Sequence, residues 1–140
     1  MLNKRSSNPT KRRGAAVVEF AFVAPLFLTL IAGTIELGQG IVLMQLLTNA
    51  SRQGARVAGY DTTTSTSTVT TAVNNYLSNE GISGATTTVT PNPPSGASDG
   101  QQVSVSVSLV FDNVRWLPSS FFLGGQTLTA TSVMCRQPPP

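Results

Sequence analysis

Residues 15–35 read AAVVEFAFVAPLFLTLIAGTI, 21 residues with a single charge, Glu19. An α-helix rises 1.5 Å per residue, so about 20 residues of this kind cross the roughly 30 Å hydrocarbon core of a bilayer. Lys4, Arg5, Lys11, Arg12 and Arg13 all precede the run, with no acid among them. The positive-inside bias puts that end in the cytoplasm and everything after the run on the far side of the inner membrane. A buried core helix is disfavoured, because a domain of about 80 further residues could hardly wrap so uniform an apolar cylinder. A cleaved secretory signal would need a small-residue site after the run, and Ala32-Gly33-Thr34 matches that only weakly.

The rest of the composition narrows the function. The chain of 140 residues has nine Lys+Arg, six Asp+Glu and a net charge of +3, but five of the nine cations lie in the first 13 residues. Beyond them four cations face six acids. A basic run alone would suit nucleic acid, yet the apolar stretch directly behind it favours a lipid surface, and no nucleic-acid partner is expected. Histidine is absent and Cys135 is the single cysteine. That removes imidazole-based catalysis, His-ligated zinc and any intrachain disulfide. Asp61, Glu80, Asp99 and Asp112 are scattered rather than paired, and there is no phosphate-binding loop. The expectation is a non-enzyme with no cofactor, no metal and no small-molecule substrate.

Helical periodicity continues past the apolar run. Leu43, Leu47, Ala50, Gly54 and Val57 fall at i, i+4, i+7, i+11 and i+14, one stripe of a helix. Gln45, Asn49, Arg52 and Arg56 form the opposing polar stripe. The pattern predicts one rod from about Ala15 to Tyr60, bent at Pro25, with Asn8-Pro9 arguing against an earlier start.

From Asp61 onward the chain changes character: 26 of its last 80 residues are Ser or Thr. Val69, Val73, Tyr76 and Leu77 predict a short amphipathic helix stopped near Gly81. Residues 85–90 are β-branched and predict a strand. Val103 to Phe111 alternates, with Val103, Val105, Val107, Leu109 and Phe111 on one face, a second strand. Residues 126–135 predict a third. The fold class is therefore α+β: a long N-terminal transmembrane and amphipathic helix, then a small head of one short helix and about three antiparallel strands. The organisation is 1–14 leader, 15–60 spine and 61–140 head. So small a head has a marginal core, and the Val103/Val105/Val107/Leu109 face is expected to pack on the Leu43/Leu47/Ala50 stripe.

Glu19 is the residue that calls for a chemical account. A carboxylate inside a membrane helix costs about 2.5–3.5 kcal/mol near the centre and less toward an end. It either reaches back to the headgroups or has a partner. Cleavage after Gly14 would create such a partner, a free amine on Ala15, available to Glu19 of an adjoining copy.

Lys11-Arg-Arg-Gly14 followed by Ala15-Ala-Val-Val-Glu19-Phe20 resembles the type IV prepilin processing motif. More narrowly, residues 11–60, with Glu36-Leu-Gly and Asn49-Ala-Ser-Arg52-x-Gly54-Ala-Arg56, resemble the TadE-like pseudopilins of the Tad (tight adherence, Flp-type) pilus system. The resemblance implies that Gly14 ends the leader, that a membrane prepilin peptidase cuts it from Ala15, and that Glu19 governs processing and assembly. Phe20 stands where major Flp pilins carry tyrosine, and those pilins are much shorter; both departures imply a minor pilin rather than the main filament subunit. The implied partners are the prepilin peptidase, other Tad pilins, the inner-membrane assembly platform and membrane lipid, and the implied role is pilus assembly and surface adhesion. A plain single-pass anchor carrying a binding domain, or a type II secretion pseudopilin, are the competing readings.

Three further features have two readings each. Arg52, Gly54 and Arg56 are either subunit contacts or a solvated helix face. Cys135 is either an interchain thiol or a small packing residue. Trp116, Phe121, Phe122 and Leu123 are either an exposed adhesive patch or the cap of a small core.

Overall fold

The computed structural model describes residues 9–114 and 120–137, with side chains from residue 14 onward. Residues 1–8 of the expected leader, and Trp116, lie outside that range. Two α-helices and three strands follow in the order α1 (Pro9–Ala58), α2 (Thr66–Asn79), β1 (Thr86–Thr90), β2 (Gln102–Val110) and β3 (Thr127–Cys135). The fold is α+β with a long N-terminal helix, as the periodicity predicts.

Helix α1 starts at Pro9, earlier than the Asn8-Pro9 pair led one to expect. Proline is well accommodated in a first helical turn, where its missing N–H has no intrahelical partner to lose. The helix passes through Pro25 unbroken, and Thr29 Oγ1 donates to the Pro25 carbonyl at 2.9 Å.

The chain divides into two units, Met1–Ile35 and Glu36–Pro140. The boundary lies inside α1, because from Glu36 onward the helix buries side chains in the head. In the first unit the described side chains of α1 are almost all exposed, Val17, Phe20, Phe22, Leu26 and Leu30 among them.

The second unit is built on a three-stranded antiparallel sheet in the order β1-β2-β3. β2 is central: Val105 pairs with Val89 on one side and Ser132 on the other, and Leu109 pairs with Leu128. Its alternation is realised as predicted, with Val103, Val105, Val107 and Leu109 buried and the intervening serines half-buried. Phe111 falls just past the strand, in a 3-10 turn over Phe111–Asn113, yet is only 1% exposed.

The sheet face closes against Leu43, Leu47, Ala50, Ala55 and Ala58 of α1 and Val69, Val73 and Leu77 of α2, one continuous core. Ser65 caps α2, accepting from the Ser67 amide. At the other end Gly81 takes φ +74° while the Ile82 amide returns to the Leu77 carbonyl, so the helix stops where a left-handed residue is available.

Candidate functional site

The structure places the motif residues Gly14, Ala15, Glu19 and Phe20 on the first unit's stretch of α1, all exposed. Phe20 is 71% exposed, and a Cβ on Gly14 would meet no atom within 4 Å. The helix is long and apolar enough to cross a membrane, and none of its most apolar window is buried within the chain. That combination suits a segment whose apolar surroundings come from outside the polypeptide.

In the second unit Arg52 and Arg56 are exposed on the polar stripe, and Arg56 Nε donates to the Tyr60 hydroxyl at 3.2 Å. Gly54 faces the opposite way. It is buried, and a Cβ there would come within 2.7 Å of Val73 Cγ2 and 3.0 Å of Val105 Cγ1. Its small size thus serves the crossing of α1 over α2 and β2 inside this chain. The structure separates Gly54 from the two arginines by half a helical turn of facing. Cys135 is a free, exposed thiol. Of the aromatic group, Phe121 and Phe122 are 48% and 63% exposed while Leu123 is half-buried.

A second constellation is centred on Glu36, which the sequence marks only as an acid within the Glu36-Leu-Gly part of the resemblance. Glu36, 1% exposed, aims its carboxylate at the loop before β3. The Phe121 amide donates to Oε2 at 2.7 Å, the Leu123 amide to Oε1 at 2.7 Å, and the Phe122 amide lies 3.2 Å from both oxygens. Burial pulls the Glu36 carboxyl upward in pKa. The amides of Leu123, Phe121 and Phe122 outweigh that, and it sits below the ordinary carboxylate value despite a small upward push from Asp112. One turn on, Gln39 Nε2 donates to the Val114 carbonyl at 2.6 Å. Asp112 holds the same loop from the other side, accepting from Ser120 Oγ at 3.0 Å and the Gly125 amide at 2.8 Å.

At the far end of the sheet, Arg136 plays the complementary part. The residue is 8% exposed, and its guanidinium donates to the carbonyls of Asp61 at 2.7 Å, Pro94 at 3.2 Å and Thr63 at 3.4 Å. Between the two ends the Ser51 and Ser132 hydroxyls meet at 2.7 Å, joining α1 to β3. Sequence spacing could single out none of these, since Glu36 and Arg136 bind backbone atoms, which any residue supplies. The one available hint was Glu36 itself, a lone acid directly after the apolar run.

No curated protein and no solved structure matches the chain. Residues 14–56 do match a family model, described as TadE-like protein. The match opens on Gly14, takes in Glu19, Phe20 and Glu36, and ends at Arg56, so the apolar run and the helical stripe that follows it are similar to those of TadE-like proteins.

Proposed function

We propose that this chain is a minor pilin, or pseudopilin, of a Tad-type pilus, working as a structural part rather than as an enzyme. The observation that carries the reading is the family match, which begins on the glycine of the Gly14-x4-Glu19 motif. In this reading the N-terminus faces the cytoplasm, residues 15–35 span the inner membrane, and a prepilin peptidase cuts between Gly14 and Ala15. The exposure of Gly14 and Ala15 supports access to that bond. The new amine on Ala15 then meets Glu19 of a neighbouring subunit, an ion pair worth forming only where the apolar surroundings make either charge costly alone. Exposed apolar side chains from Val17 to Leu30 supply the lateral surface along which subunits pack. The head, borne on the outer part of α1, contributes to assembly and surface adhesion.

The test is the N-terminus of the membrane-extracted protein from a host with an active prepilin peptidase. Intact mass and N-terminal analysis should give a chain beginning at Ala15. Recovery of the uncut chain alone would overturn processing and leave a plain membrane anchor carrying a small domain.

A further inference from the structure

Resting on the reading of residues 15–35 as a membrane span, we propose that the loop Ser120–Gln126 is a lipid contact: Phe121 and Phe122 insert at the outer bilayer interface.

Glu36 follows Ile35, the last residue of the span, so chain connectivity alone puts it at the membrane boundary. Its carboxylate holds the amides of Phe121, Phe122 and Leu123 at 2.7–3.2 Å. The loop is thereby fixed at the level of the boundary residue. The two phenyl rings are 48% and 63% exposed, an unusual outlay of aromatic surface for a segment so firmly held.

The backbone of the loop extends that observation, adding two bonds beyond those to Glu36. The amides of Phe121, Phe122 and Leu123 go to Glu36, that of Gly125 to Asp112, and that of Gln126 to the Leu123 carbonyl. Satisfying them within the chain is what a segment entering a partly dehydrated layer requires, since an orphaned amide is costly there. The sequence Phe121-Phe122-Leu123-Gly124-Gly125-Gln126 also carries no charge. Leu37 and Ile41 extend the apolar surface on α1, 52% and 62% exposed. At 1.5 Å of rise per residue they stand about 2 and 8 Å beyond Glu36, matching the roughly 5–7 Å interfacial layer on each side of a bilayer. Phe and Leu side chains bury at the boundary between headgroups and acyl chains, driven by the apolar area they remove from water.

The experiment uses the full chain in lipid nanodiscs with one tryptophan reporter, Trp116→Phe with Phe122→Trp, and a span control, Trp116→Phe with Phe27→Trp. The Phe122 reporter should emit to the blue of its position in water. It should be quenched more strongly by lipids brominated near the glycerol end of the acyl chain than by lipids brominated near the methyl end. The Phe27 reporter should show the reverse depth preference. If Phe27→Trp is quenched and Phe122→Trp emits as in water, the loop proposal falls while the span stands; if neither is quenched, both fall. A Phe122 reporter whose shielding grows with the number of chains per disc and ignores brominated lipid would assign the patch to a second copy and overturn the proposal. Should the tryptophan variants fold poorly, Cys135→Ser with Phe122→Cys, labelled with a polarity-sensitive dye, gives the same readout.

Discussion

The two parts of α1 share one helix and almost nothing else. From Ala15 to Ile35 the large side chains are exposed, and the motif residues Gly14 and Glu19 stand open. From Glu36 to Ala58 the same backbone carries a buried stripe, Leu43, Leu47, Ala50, Ala55 and Ala58, against a sheet and a second helix. Helical hydrogen bonding is indifferent to this change; what differs is where the apolar surface is satisfied. In the second part the chain covers its own stripe. In the first the chain leaves its apolar surface uncovered.

The sharpest way to break that contrast is a matched pair of truncations. Phe111→Ala, at a position 1% exposed, should cost the head about 3–5 kcal/mol in urea unfolding. Phe27→Ala, 58% exposed in the first unit, should leave the same unfolding midpoint in place; a comparable loss there would mean the two parts are energetically one. A second pair asks about small residues. Gly54→Ala pushes a methyl to 2.7 Å from Val73 Cγ2 and should destabilise by about 1–3 kcal/mol. Gly38→Ala meets nothing within 4 Å and should stabilise the helix by up to about 1 kcal/mol.

A more local effect is expected at the loop before β3. Because the Glu36 carboxyl lies below its ordinary value in the folded chain, its contribution is fully present above the unfolded carboxylate pKa and is lost as pH falls through the lowered folded value. Hydrogen exchange of the Phe121–Leu123 amides, corrected for intrinsic rates, should therefore quicken in acid in the parent chain. In Glu36→Gln it should be quick at neutral pH and show little further acid response. The smallest effect belongs to the polar stripe: Arg56→Ala should change head stability by no more than about 0.5 kcal/mol. A loss of pilus incorporation at unchanged stability would identify Arg56 as a contact between subunits.

How much of this was legible beforehand follows from what kind of partner each residue has. The Leu43/Leu47/Ala50 stripe and the β2 alternation are burial written as period, so spacing alone revealed both elements and their meeting. Gly54 was visible as a small residue on the buried side, though its neighbours Val73 and Val105 come from elements brought to it by the tertiary fold. The start of α1 is not legible in Asn8-Pro9, because a proline breaks a helix interior but is tolerated in the first turn, which is where Pro9 lies. Glu36, Asp112 and Arg136 were illegible as anchors, since their partners are amides and carbonyls without side-chain identity. The motif around Gly14 and Glu19 was read through resemblance, and its geometry, an exposed helical ribbon, adds only access.

Ser51 and Ser132 lie 81 positions apart yet share a hydrogen bond, so the first and last elements of the head are immediate neighbours. A chain emerging in order must therefore keep its early nonpolar ridge uncovered until α2 and β2 follow, and the sheet open until β3 arrives. Such a delay makes the domain slow to close and gives chaperones, or sister molecules, a window in which to take hold.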